Sequence, residues 1–374
     1  MSTDGDGGDG DEGPAADVHR LVGVRGLADS WLGAEDARAA YRDLVVARRF
    51  DERAMALQRR GWMSGYPPHA GEEATGVGAV HAMRERDWLV PYYRSNAAQI
   101  ARGVPMADLL LFRRGYPEFH SGEDHRVFPQ AIPIATQLPH ATGIAMAADY
   151  RGTDEAVVVH FGDGATSEGD FHEAVNFAGV FDAPVVFCCE NNGWAISHPR
   201  ERQTAAPTIA AKAEAYGIDG RRVDGNDPLA VRETMTDALA AARDGRPVLV
   251  EALTYRRGPH TTADDPDRYR DGDADEGRAG DGGSLPDWRT ADPIDRLEAF
   301  CRGEGVLDDG DVAAIHEAAE TAVREAVETA EAVGRPDPDE LFDPVFAAPT
   351  PELERQRADL HDFLSRHDPY ELER

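Results

Sequence analysis

Lysine is almost missing from this chain: of its 39 basic residues one, Lys212, is lysine and the rest are arginine. Set against 70 acidic residues, they leave a formal net charge of −31. A surface so acidic repels polyanions, which excludes nucleic acid as a direct partner. Acidic excess with little lysine points to a high-salt, halophilic cytoplasm, where repulsion is screened and carboxylates keep the surface hydrated. Long apolar runs are missing too, and none approaches the roughly 18 residues that span a bilayer, so no membrane role is expected. The opening residues, MSTDGDGGDGDEGP, are acidic and glycine-rich, the opposite of a secretory leader. Cysteine is scarce, at three residues, with no CxxC and no Cys/His cluster. Neither a disulfide framework nor a zinc site is expected, and Cys188, Cys189 and Cys301 read as buried free thiols in a reducing cytosol. A disordered acidic protein is excluded in turn, because 41% of the residues are hydrophobic and their periodicity is clear.

What is present reads as an α/β chain. Residues 1–17 are expected to be a disordered acidic tail, 18–345 the main domain and 346–374 a C-terminal extension. Apolar spacing predicts a helix from Glu35 to Arg60, stopped by Gly61. GYPPHAGEEA, from Gly65, is a turn into a small-residue helix through Met83. A short extended piece, DWLVPYY, ends at Arg94, and a closely packed helix starts at Leu138. The centre then alternates: strand 155–161, helix 167–181, strand 183–190, helix near 208–217, strand near 221–223, helix 227–243 and strand 247–255. Such alternation predicts a parallel sheet with helices on both faces. The acidic, glycine-rich stretch from about 270 to 287 is expected to be a mobile loop. An amphipathic helix through Val312, Ile315, Ala319, Val323, Val327 and Ala330 follows, stopped by Gly334 and Pro336.

The chemistry is concentrated in HFGDGATSEGDFHE, from His160. Glycine-rich turns after strands often cradle phosphate, yet this one carries Asp163 between its glycines. Asp163 follows the strand ending at Phe161, and Asn191-Asn192 follow the next strand, VVFCCE. One βαβ unit therefore brings Asp163 and Asn192 to the carboxyl edge of the sheet, where open parallel sheets bind ligands. A carboxylate and an amide oxygen are hard ligands suited to magnesium or calcium, and magnesium completes its octahedron with phosphate oxygens, backbone carbonyls and water. Taken singly, GDG and Asn-Asn are common turns; their placement at adjacent strand ends carries the inference.

Residues 162–197, GDGATSEGDFHEAVNFAGVFDAPVVFCCENNGWAIS, resemble the thiamine-diphosphate motif of the α subunits of 2-oxo acid dehydrogenase E1 components, of the pyruvate and branched-chain types. The resemblance runs from about residue 40 to 345 and implies the thiamine-diphosphate-binding fold. By position it implies magnesium held by the side chains of Asp163 and Asn192 and the carbonyl of Trp194, with Gly164 and Ala165 approaching the diphosphate. In VPYYRS, Tyr93 matches an aromatic cofactor contact and Arg94 a diphosphate-binding arginine, a role its bidentate fork suits. IPIATQLPHATG, from Ile132, resembles the segment under the aminopyrimidine ring. Ile132 and Ile134 would wall the cofactor, with core packing the other reading. Thr136 and Gln137 match a structural monovalent-cation site.

In YRRGPHTTADDPDRYR, from Tyr255, the matching loop of the family carries a histidine that reaches the cofactor. Here that is His260, suited by its chemistry to proton handling. Its neighbour Thr261 matches a hydroxyl residue that is a phosphosite in some members, which does not imply a kinase here. Arg256 and Asp264 would order the loop through an ion pair or hydrogen bonds. Three features depart from the pattern: Glu190 replaces a phosphate-binding arginine of some branched-chain members, the acidic stretch lengthens the loop, and Trp194 replaces a frequent tyrosine.

The implied activity is decarboxylation of a 2-oxo acid and transfer of the acyl group to lipoyl-E2, and through it to E3. The glutamate that activates the aminopyrimidine comes from the β subunit in this family, and this chain has no candidate segment. The resemblance therefore implies an α2β2 heterotetramer with the cofactor between subunits. Other readings are an acetoin-cleaving E1-like α subunit, the amino-terminal half of a split transketolase, and a non-catalytic magnesium-stabilised scaffold. Pyruvate and branched-chain substrates are not distinguished by these motifs.

Overall fold

Valine-rich runs organise the molecule. The structure, a computed structural model, describes residues 18–130, 132–269 and 285–368. The acidic tail and most of the expected mobile loop lie outside the described residues. The strands are β1 (Val18–His19), β2 (Trp88–Val90), β3 (Val157–Gly162), β4 (Val185–Asn191), β5 (Trp194–Ala195), β6 (His198–Pro199), β7 (Asp219–Asp224) and β8 (Val248–Leu253). Six of them form one parallel sheet in the order β1-β7-β8-β4-β3-β2, and β5 with β6 makes a small antiparallel hairpin.

The period of two along each strand divides the core into two layers. Val158, Val186, Cys188 and Val250 join the apolar cluster on one face, while Val157, Val159, Phe187, Cys189 and Leu249 join that on the other. Cys188 and Cys189 thus face opposite layers, and all three thiols are buried and free. One face is covered by α1 (Ala34–Arg59), α2 (Glu73–Ala82), α7 (Pro228–Arg243) and α9 (Pro293–Gly303), the other by α5 (Gln137–Arg151) and α6 (Gly169–Val180). Shorter helices α3 (Asn96–Ala101), α4 (Met106–Arg113) and α8 (Asp287–Thr290) connect these layers, and α10 (Asp309–Ala332) and α11 (Pro351–Leu364) end the chain. This is the α/β architecture expected from the sequence.

Local chemistry sets the element ends. Asp227 caps α7 by accepting from Leu229 N and Ala230 N, and its other oxygen takes Leu21 N and Val22 N at 2.8 and 2.6 Å. Helix α2 is buried along nearly its whole length because glycine lets its neighbours close in; a Cβ on Gly78 would lie 2.5 Å from Pro228 O.

Three expectations change. The helix near 208–217 is a 3-10 segment, Ala210–Tyr216, closed by Gly217 in the left-handed conformation, since so short a run tightens. Asp287, assigned to the mobile loop, begins α8, where Pro286 and an acidic first turn favour a helix start. Helix α11 has no counterpart in the expected elements: charged residues hide its period, although Thr350 caps it and Pro351 opens it. The described residues divide between Val327 and Glu328 into two compact units. The second holds α11, with His361 Nε2 2.8 Å from Asp339 Oδ1. No helix among the described residues is long and apolar enough to cross a membrane.

Candidate active site

Strands β3 and β4 are in-register neighbours, with Gly162 opposite Glu190, so the segments leaving their carboxyl ends start side by side. Asp163 opens a 3-10 turn to Ser167, after which α6 departs. Its carboxylate is 2% exposed, and neither oxygen has a hydrogen-bond partner among the described residues. Burial pushes its pKa up to about 7, with Glu72 adding to the effect and Arg289 and Arg256 opposing it. Across from it, Asn192 donates through Nδ2 to Glu72 Oε1 at 2.8 Å, and its Oδ1 accepts Trp194 N at 3.0 Å. Asn191 is held by Glu251 Oε1 at 2.6 Å and by Gly193 N at 3.0 Å. Glu72 thus orients the Asn192 amide from a distant part of the chain.

A cavity of about 240 Å³ opens at this edge. Its lining includes Tyr93, Arg94, Ile134, Gln137, Gly164, Ala165, Asn192, Trp194 and His260, bringing nine of the residues singled out from sequence into one space. Asp163 lies buried in the same turn as Gly164 and Ala165. Ile132 does not line the cavity; it is half-exposed, like Ile134. Gly164 sits where a Cβ would approach Ala195 Cβ to 2.7 Å, so a side chain there would force the turn and the β5 hairpin apart. Thr136 Oγ1 donates to Pro133 O at 3.0 Å, and Gln137 Nε2 donates to His160 O at 3.0 Å.

Arg94 is buried and ties three segments together. Its Nη1 donates to Pro68 O at 2.6 Å and to His260 O at 3.2 Å, its Nη2 donates to His260 Nδ1 at 3.1 Å, and Nε lies 3.4 Å from Glu72 Oε2. Burial opposes its charge, but Glu72 leads the groups that outweigh this and raise its pKa. A guanidinium only donates, so His260 Nδ1 is the acceptor and Nε2 carries the proton. That Nε2 faces Tyr93 Oη at 3.4 Å. Burial, then Arg94 and Arg256, lowers the His260 pKa to about 3, and the ring is neutral at physiological pH.

The loop around His260 is ordered through an intermediate. Asp264 Oδ2 accepts His260 N and Tyr269 Oη, both at 2.7 Å, and Arg256 Nη2 donates to Tyr269 Oη at 3.1 Å. The expected Arg256–Asp264 connection therefore runs through the Tyr269 hydroxyl, and the Tyr269 ring packs 5.4 Å from Trp194. Thr261, beside His260, accepts Asp264 N through its carbonyl at 2.9 Å. Glu190 turns inward: it accepts His160 Nδ1 at 2.8 Å and Tyr92 Oη at 3.0 Å, so both its oxygens are engaged within the protein.

Several further residues contribute without a clear mark in the sequence. Glu72 lay in a segment read only as a turn; its signal was a carboxylate pair flanked by small residues at the start of a buried helix. Arg289, beyond the acidic stretch, donates from Nη2 to Asn191 O at 3.0 Å and from Nε to Thr254 O at 3.2 Å. Ile196 lines the cavity in the left-handed region, at φ 57°, with its carbonyl accepting Arg256 Nη2 at 3.2 Å. No local pattern announces that conformation in a β-branched residue.

The donor set fits a hard dication. Among the described residues no cluster of three His, Cys, Asp or Glu side chains forms a metal site. The unpartnered Asp163 carboxylate and the oriented Asn192 amide, leaving neighbouring strands, instead suit magnesium, which takes few protein ligands and leaves positions for phosphate. A glycine turn and the buried Arg94 suit an anionic phosphate.

A family model described as Dehydrogenase E1 component matches residues 41–339. The chain is 43% identical over 344 residues to the 3-methyl-2-oxobutanoate dehydrogenase subunit alpha of Mycobacterium tuberculosis, covering 90% of each chain. It is 38% identical over 293 residues to the pyruvate dehydrogenase E1 component subunit alpha of Staphylococcus aureus, covering 77% of this chain and 76% of that one. The protein of the same name from Bacillus subtilis is 36% identical over 302 residues, covering 80% and 78% respectively.

Proposed function

The chain belongs to the dehydrogenase E1 component family, and on that footing we propose that it is the α subunit of a cytoplasmic 2-oxo acid dehydrogenase. It acts on pyruvate or a branched-chain 2-oxo acid, with thiamine diphosphate and magnesium as cofactors. Its partners are a β subunit in an α2β2 heterotetramer, lipoyl-E2 as acyl acceptor and, through it, E3. The observation that carries this reading is the buried, unpartnered Asp163 carboxylate beside the glycine turn and Asn192.

Bound in this cavity, thiamine diphosphate supplies a nucleophilic carbon and an electron sink for decarboxylation. Asp163, Asn192 and the Trp194 carbonyl would hold the magnesium, whose charge offsets the desolvation of the carboxylate. Gly164 and Ala165 would present backbone to the diphosphate, and Arg94 would balance its charge. Tyr93 and Ile134 wall the cavity, with Ile132 nearby in sequence. His260, neutral and protonated on Nε2, is suited to donate a hydrogen bond to a reacting oxygen. A neutral ring with so low a pKa is a poor proton store, which moves its proposed catalytic role from acid–base shuttle to donor.

The test is co-expression with a β subunit and dye reduction driven by pyruvate, 2-oxoisovalerate or 2-oxobutyrate, with thiamine diphosphate, magnesium and high salt present. Turnover of at least one substrate is expected; no turnover of any overturns the reading. The isolated chain should bind thiamine diphosphate weakly, and tight binding by it alone would contradict a site shared between subunits.

A further inference from the structure

The chain's one lysine is placed at the candidate site. Lys212 is half-buried in the 3-10 segment, and its Nζ donates to both the carbonyl oxygen and Oγ1 of Thr166, each at 2.9 Å. Thr166 Oγ1 in turn donates to Asp163 O at 2.8 Å. The ammonium also lies 5.6 Å from the centroid of the Phe171 ring, on the first turn of α6. Lys212 therefore grips the turn that carries Asp163, Gly164 and Ala165 from its far side.

The segment bearing Lys212 is itself fixed to the other half of the site. Ala210 N donates to Glu251 Oε2 at 3.1 Å, while Glu251 Oε1 accepts Asn191 Nδ2 at 2.6 Å. Arg222 Nε, 3.3 Å from Glu251 Oε2, balances that buried carboxylate. A continuous path thus runs from the Asp163 turn through Thr166 and Lys212 to Glu251 and the Asn191-Asn192 pair.

We infer that Lys212 is a positioning residue: with Glu251 it forms a strut that sets the separation between Asp163 and Asn192, and so the affinity for magnesium. This rests on the reading that these two strand ends hold magnesium. The lysine chemistry suits the task, because an ammonium carries three donors on one nitrogen and can serve both oxygens of Thr166 at once. A guanidinium spreads its donors over a plane, so an arginine at this position would meet the two Thr166 oxygens in a different geometry.

The test compares wild type, Lys212→Met and Lys212→Arg in the αβ complex at high salt. Three quantities are read: half-saturating magnesium with thiamine diphosphate in excess, magnesium-dependent binding heat without substrate, and kcat at saturating magnesium. Lys212→Met is expected to raise half-saturating magnesium about 10-fold or more, the size typical of groups that orient metal ligands, and to retain most of kcat. Lys212→Arg is expected to recover part of the affinity by restoring charge and donors. Thr166→Val, which cuts the same path from the other side, is expected to shift magnesium affinity in the same direction and serves if Lys212→Met fails to assemble. Wild-type affinity in both Lys212→Met and Thr166→Val overturns the strut. Absence of magnesium and thiamine diphosphate binding in wild type overturns the proposed function itself, and the strut with it.

Discussion

Burial makes Asp163 a weaker acid than a free aspartate. Its folded pKa, about 7, lies above the ordinary 3.8 of an aspartate, so the folded chain binds more protons than the unfolded one between those limits. Stability of the metal-free protein therefore falls as pH rises through that window and stays reduced above it. A shift of this size corresponds to roughly 4 kcal/mol at pH 8. Asp163→Asn is expected to raise the metal-free melting temperature at pH 8, by about 5 °C, while removing magnesium-dependent cofactor binding. Calorimetry with and without magnesium checks both halves, and a variant less stable than its parent without metal would refute the assignment. His260 is perturbed in the opposite sense. With its pKa lowered to about 3 by burial, Arg94 and Arg256, it should show no imidazole titration between pH 5 and 8 in a two-dimensional nitrogen spectrum. His260→Ala is expected to lower kcat by on the order of 10²-fold through loss of a positioned donor. Both ionisation states depend on contacts far apart in sequence. The residue types at the site were legible in the chain, but their protonation states were not.

At the scale of the element, legibility followed local periodicity. β3 and β4 were readable because runs of Val, Phe and Cys, broken in β3 only by His160, leave a strand buried on both faces no other place. Since Asp163 and Asn192 follow those runs, the placement of this pair at adjacent strand ends was readable too. Contacts that cross the chain were not: Glu72 meets Asn192 across 120 positions and Lys212 meets Thr166 across 46. Helix α11 is hard to read for the opposite reason: Leu353, Leu360 and Leu364 recur at helical spacing, but Arg357 stands between them in the same stripe and charged residues surround it. The packing of α2 on α7 yields its own expectation. Gly78→Ala improves helix propensity by up to about 1 kcal/mol, yet the new methyl would lie 2.5 Å from Pro228 O and 2.8 Å from Val231 Cβ. Overpacking should win, leaving the variant about 1–3 kcal/mol less stable in denaturant titration.

For the whole molecule, charge sets the working conditions. The 39 basic residues offset only part of the 70 acidic ones, and the remaining excess of −31 repels itself. Dilution from molar salt to about 0.1 M lengthens the Debye screening distance from about 3 to 10 Å. The melting temperature is expected to fall on that dilution. Magnesium should offset part of the loss at concentrations too low to screen the surface, because its effect acts at one buried site. Thermal scans across sodium chloride with and without millimolar magnesium separate the two effects; a melting temperature independent of salt would contradict the reading of the acidic surface.

The single lysine also makes the chain an unusual substrate for covalent chemistry. Besides the terminal amine, an acylating reagent meets one side-chain amine, and that amine is hydrogen-bonded to Thr166. Its rate of labelling, followed by mass spectrometry on one peptide, reports how often the bond to Thr166 opens. No tag or fluorophore need be introduced. A wild-type protein can thus announce, through the reactivity of a single nitrogen, whether its site is loose or locked.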